Sequence, residues 1–124
     1  RNYLMIKPKA YKTEIIDKNT AKVSFKLDAD LFYLKGHFEV QALLPGVVQV
    51  GYVVEFAKEL LNLDVITNFQ VIKFLNPIIP EDTVELTLKY NETKQALDFE
   101  YYLKNQEKVA SKGKAKVSCN SNLA

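Results

Sequence analysis

The sequence predicts an α+β domain in which one antiparallel sheet curls around one long helix. Three features carry this reading: an N-terminal pair of alternating strands, a single helical stretch that is apolar on nearly every side, and four later strand-like runs joined by short polar turns.

Residues Tyr11 to Ile16 and Ala21 to Leu27 read as strands, the second alternating through Val23, Phe25 and Leu27. They meet across Asp17-Lys18-Asn19-Thr20, turn-forming residues that make the pair a hairpin. Asp28 to Gly36, with Phe32 and Tyr33, reads as an irregular connection. From Val47 to about Leu61 the spacing is helical, with Val47, Val50, Val54, Ala57 and Leu61 on one face. Val48, Tyr52, Val53, Phe56 and Leu60 cover much of the rest, and a helix apolar nearly all round is a buried one. Glu55, Glu59 and Asn62, with Lys58 beside them, form a narrow polar stripe headed by Gly51. The expectation is an enclosed N-terminal half and a C-terminal half that emerges into water. Asn68 to Leu75, Thr83 to Tyr90, Ala96 to Lys104 and Lys108 to Ser118 then read as strands. Breaks at Pro77 to Asp82, Asn91 to Lys94 and Asn105 to Glu107 are short, which implies antiparallel neighbours.

The 124 residues fit one domain, taken as residues 1–124, and 48% hydrophobic with 26% charged residues is an ordinary globular composition. A net charge of +2 is too balanced for a nucleic-acid footprint. Lys104, Lys108, Lys112, Lys114 and Lys116 crowd the last third, which suits an acidic partner or, more simply, the solvent face of a strand. No apolar run approaches the roughly 18 residues that span a bilayer, and the N-terminus carries no secretion signal. A cytoplasmic protein without nucleic-acid or membrane partners is expected. One cysteine, Cys119, and one histidine, His37, far apart in sequence, give neither an intrachain disulfide nor a metal cluster. Cys119 has no second histidine to activate it and reads as a small packed side chain. No cofactor is called for.

The chemistry concentrates between Gly36 and Gly51. Pro45-Gly46 opens the helical pattern, where Pro suits a first turn whose N–H groups have no intrahelical partner. The free N–H groups of Gly46 and Val47, backed by the helix dipole, suit a partly negative oxygen. His37 lies just upstream, and an ordinary pKa of about 6.5 fits it to move protons near neutrality. A base beside an oxyanion-binding helix end is half of an acyl-thioester site.

The residues Gly36-His37-Phe38, followed by Leu44-Pro45-Gly46-Val47, resemble the signature of the hotdog-fold beta-hydroxyacyl-ACP dehydratases, G-H-F-P-G-x-P-(I/V)-(L/M)-P-G-V. The run Lys73 to Thr83 is similar to that family's K-F-R-x-P-V-x-P-G-D strand and turn. The resemblance implies a hotdog fold, a homodimer or higher even oligomer, and an acyl carrier protein or coenzyme A thioester as substrate. It implies that His37 moves the alpha proton of a 3-hydroxyacyl thioester, that the Gly46 N–H holds the thioester oxygen, and that a helix carboxylate handles the departing hydroxyl. The product would be the trans-2-enoyl thioester.

Two departures stand out. Glu39-Val40-Gln41-Ala42 replaces the rigid P-G-x-P turn. The family's helix acid lies fourteen residues after the histidine, and that position is Gly51, which has no side chain. Glu55, one turn further along the same face, is the candidate replacement; its other reading is the start of the solvated stripe. Gly51 in mid-helix costs about 1 kcal/mol relative to Ala, a cost that close approach by a ligand or backbone would explain. Asp82 reads as an ordinary turn residue before a strand. Two further readings remain open beside the dehydratase: a hotdog acyl thioesterase in which Glu55 activates water, and a non-catalytic acyl-thioester-binding subunit, for which Gly51 argues.

Overall fold

The computed structural model describes residues 8, 10–27, 44–63 and 66–118. Six strands and one helix follow in the order β1 (Lys12–Asp17), β2 (Thr20–Lys26), α1 (Gly46–Leu61), β3 (Ile66–Phe74), β4 (Thr83–Asn91), β5 (Ala96–Leu103) and β6 (Lys108–Val117). All neighbours are antiparallel, and the spatial order is β1-β2-β4-β5-β6-β3. The strand after the helix therefore crosses to the far edge and pairs only with β6.

Strict alternation builds the core. Val23 and Phe25 of β2, Val84, Leu86 and Leu88 of β4, and Leu97, Phe99, Tyr101 and Leu103 of β5 are buried, because a strand places every second side chain on the same face. Onto them α1 packs Tyr52, Val53, Phe56, Ala57 and Leu61. Tyr52 meets Phe25 and Phe56 edge to face, at ring centroid distances of 5.8 and 6.5 Å. The helix ends where Asn62 takes a left-handed conformation (φ 59°), and the next N–H, of Leu63, donates to the Ala57 carbonyl at 3.2 Å. No helix among the described residues is long and apolar enough to cross a membrane.

The outer face holds the lysines of β6. Lys112, Lys114 and Lys116 stand opposite Glu100, Asp98 and Ala96 of β5, and Lys114 reaches Asp98 at 3.8 Å. The strand-face reading of that crowding is the one the pairing supports.

The helix departs from its expected enclosure. Its buried line includes Gln49, whereas Val47 is 77% exposed and Val50, Gly51 and Val54 are only half-buried. One sheet covers one side of a helix, so among the described residues nothing is laid over the side carrying Val47, Gly51 and Val54.

An irregularity in β6 shapes the site. Tyr101 pairs with Ser111 but Tyr102 pairs with Val109, so two successive residues, Ala110 and Ser111, are both buried. A bulge of this kind re-aims side chains and frees backbone groups. Here the Ala110 carbonyl accepts from the N–H groups of Leu75 and Asn76 at 2.8 and 3.0 Å, and Ser111 turns toward the helix.

Candidate active site at the helix N-terminus

Pro45 caps α1 with extended backbone (φ −62°, ψ 149°) and no side-chain hydrogen bond, and the first turn carries no acidic residue. The N–H groups of Val48 and Gln49 both donate to the Pro45 carbonyl at 3.0 Å. Those of Gly46 and Val47 have no acceptor among the described residues, as the first turn of a helix dictates. Two donors at the positive end of a helix dipole thus remain available to an oxygen.

Gly46 lines a cleft of about 360 Å³ formed by Leu44, Gly46 and Gln49 on one side and residues 74–77 on the other. Asn76 anchors that second wall, its side-chain amide donating to the Val109 carbonyl at 2.8 Å. Phe74 lies against Gly46: a Cβ on residue 46 would sit 2.7 Å from the ring Cζ. A larger depression of about 490 Å³ lies on the outer face, among Lys73, Lys89, Lys112, Lys114, Asp98 and Glu100. Val71, Phe99 and Gly113 form its floor beneath the charged ladder of the sheet.

Gln49 holds the inner side of the cleft together. Its Nε2 donates to the Leu44 carbonyl at 3.0 Å, its Oε1 accepts from the Ser111 hydroxyl at 2.7 Å, and its backbone oxygen accepts from the Tyr101 hydroxyl at 2.6 Å. Burial, and secondarily the charge of nearby Tyr52, pushes the Tyr101 hydroxyl well above its ordinary range. Burial likewise pushes Tyr52 up to about 12, and its hydroxyl has no partner among the described residues.

Of the candidate residues, Gly46 and Val47 stand at the helix start and Gly46 lines the cleft. Gly51 lies about one and a half turns further along the open side, and a Cβ there would meet nothing within 4 Å. The close approach that would account for a glycine is thus not supplied by the described residues. Glu55 is half-buried and makes no hydrogen bond or ion pair among the described residues. His37, with the connection 28–43 that carries it, and Cys119 lie outside the described residues. Asp82 is structural: its carboxylate accepts from the Ile79 N–H at 2.9 Å and the Gln106 amide at 3.0 Å.

Sequence reasoning passed over Gln49, Ser111 and Phe74. A signal for Gln49 existed, a lone amide inside Val47-Val48-Gln49-Val50, since a buried polar group demands partners.

The family model of the ApeI dehydratase matches residues 12–114. A chain of the dehydratase heterocomplex ApeI:P from Xenorhabdus doucetiae is 34% identical, with a TM-score of 0.76 over 86% of this chain and 93% of that one. An uncharacterized protein from Erwinia carotovora subsp. atroseptica is also 34% identical, with a TM-score of 0.74 over 86% of this chain and 90% of its own. The PaaI protein of the phenylacetic acid degradation operon of E. coli, 22% identical with a TM-score of 0.60 over 86% of this chain and 82% of its own, shares the fold. Among curated proteins, none matches. One helix laid across a six-stranded antiparallel sheet is the hotdog fold, and the chain belongs to the ApeI-like dehydratase family.

Proposed function

We propose that this chain is a homodimeric dehydratase, one hotdog domain over residues 1–124, that removes water from a 3-hydroxyacyl thioester carried on acyl carrier protein or coenzyme A. The observation that carries the reading is the helix start, where the Gly46 and Val47 N–H groups have no acceptor among the described residues and Gly46 lines a cleft. In this reading the thioester oxygen accepts from Gly46 N–H while His37 takes the alpha proton. Electrons flow into the carbon–carbon double bond and the beta-hydroxyl leaves as water, with Glu55 supplying its proton in place of the acid missing at Gly51. Each acid–base group is worth about 10²–10⁴ in rate.

Surface that the described residues leave uncovered supports the dimer. Val47 is 77% exposed, Phe74, Leu75 and Ile79 are 55, 52 and 42% exposed, and among the described residues β3 is an edge of the sheet. A second copy paired along β3 would cover these side chains and close the cleft. A cytoplasmic location belongs to the same reading.

A second reading, a subunit that binds acyl thioesters without turning them over, is favoured by Gly51 and by the heteromeric assembly of the 34% identical Xenorhabdus doucetiae chain. Turnover of a 3-hydroxyacyl thioester, followed in both directions by the purified protein and by His37→Ala, decides between them. Interconversion with the enoyl form that collapses in His37→Ala supports the dehydratase. Binding without turnover supports the subunit, and hydrolysis of saturated thioesters with no dehydration would mark a thioesterase.

A further inference from the structure

We infer that Gln49 is a positioning residue that sets the direction of the Gly46 and Val47 N–H groups at the helix start beside the cleft, an assignment that rests on the reading of those groups as oxyanion donors. The Leu44 carbonyl can only accept, so it fixes which end of the Gln49 amide faces it and leaves Oε1 for the Ser111 hydroxyl. The chain entering the helix at Leu44 and the fourth residue of the helix are thereby tied to β6, and the Tyr101 hydroxyl ties the same residue to β5. The far ends of these bonds lie 52 and 62 residues away. Only Pro45 separates Leu44 from the first helical residue, Gly46, so the Nε2 bond sets the pitch at which the chain enters the first turn. Gln49 itself lines the cleft, but both polar atoms of its amide are engaged, Nε2 by the Leu44 carbonyl and Oε1 by the Ser111 hydroxyl. Its effect on chemistry therefore runs through backbone direction, on which oxyanion stabilisation depends steeply.

A protonated carboxyl group reproduces this pattern, donating one O–H to Leu44 and accepting from Ser111, whereas a carboxylate would face the Leu44 carbonyl with no proton to give. Gln49→Glu is thus a pH-controlled version of the clamp. Of the described side chains near this network, Tyr101 of β5 and Tyr52 of α1, close enough to Tyr101 to raise it, are the titratable ones, and burial raises both; β6 and β3 turn Lys112, Lys114 and Lys73 to the outer face, and residues 74–77 carry no charge.

The test compares wild type, Gln49→Leu and Gln49→Glu for kcat and KM on a 3-hydroxyacyl thioester, below the unfolding temperature of each. It also follows the Gly46 and Val47 amide resonances against pH. Gln49→Leu is expected to lose tenfold or more in kcat with a smaller change in KM. The kcat of Gln49→Glu, taken as a ratio to wild type at each pH, is expected to rise as the pH falls. A folded Gln49→Leu with wild-type kcat, or a Gln49→Glu ratio flat across pH, would overturn the assignment. Should wild type show no turnover at all, the dehydratase reading fails separately and the resonances decide. Gly46 and Val47 amides that shift with the titration of Glu at position 49 support the clamp, and unmoved amides defeat it.

Discussion

Phe74 occupies the space that a side chain at Gly46 would need, its Cζ lying 2.7 Å from where a Cβ would stand. The ring is 55% exposed, so it can turn outward at small cost. Gly46→Ala should therefore change stability by no more than about 1 kcal/mol and leave its N–H in place. Gly46→Pro adds a similar atom at a position where proline is tolerated but removes the N–H. Turnover should then fall by about 10²–10³ in Gly46→Pro relative to Gly46→Ala. Equal rates in the two variants would show that this N–H holds no oxygen.

Glu55 and Gly51 share one side of the helix, and none of the described residues fills the space beside Gly51. Glu55→Gln should lower dehydration by about 10²-fold or more. Adding Gly51→Glu to that variant should restore much of the loss, since the acid then stands where the family carries it. Full activity of Glu55→Gln alone would assign Glu55 to the solvated stripe with Lys58 and Glu59.

Two buried tyrosines should respond oppositely to loss of their hydroxyls. Tyr101→Phe removes the 2.6 Å bond to the Gln49 carbonyl and should cost about 1–2 kcal/mol in a denaturant titration. Tyr52→Phe removes a hydroxyl that has no partner among the described residues and should be neutral or stabilising by up to about 1 kcal/mol.

The same tyrosines make the fold alkali-sensitive. Burial raises Tyr52 to about 12 and Tyr101 well above 10, while in the unfolded chain both ionise near 10. Below pH 10 both states are protonated and the contribution is complete. Above it the unfolded state alone loses protons, so stability should fall by about 1.4 kcal/mol per pH unit for each tyrosine. For Tyr52 the loss runs up to pH about 12, its folded value. Denaturation midpoints measured from pH 9 to 11.5 check this, and Tyr52→Phe should flatten the slope.

Gly113 of β6 has no room for a side chain. A Cβ there would press on the Val71 carbonyl oxygen and lie 2.8 Å from the Phe99 ring. Phe99 is itself wedged edge to face between Phe69 and Tyr101, at 6.0 and 6.2 Å. Relief would require moving β3 away from β6, so Gly113→Ala should cost about 1–3 kcal/mol. Unchanged stability would mean that the edge strand yields freely.

Much of the fold was legible because it rests on local periodicity. Alternation along Val84-Glu85-Leu86-Thr87-Leu88 marks β4 wherever its partners lie, and the helix expected from Val47 to about Leu61 spans Gly46–Leu61. The helix face was less legible. Valine at 47, 50 and 54 reads as core by composition, yet a single sheet cannot cover both sides of a helix, and these residues lie on the open side.

By itself, the sequence determined the order of the elements, their approximate bounds, and a helix start whose first N–H groups have no partner, all consequences of neighbours within a few residues. The tertiary structure alone decided that β3 crosses to the edge beside β6, that a bulge turns Ser111 inward, and that Gln49 joins both to the helix entrance. Those contacts join residues as many as 62 positions apart. Each segment's own pattern would permit several such pairings, and the selection among them is made only when the whole sheet closes over its core.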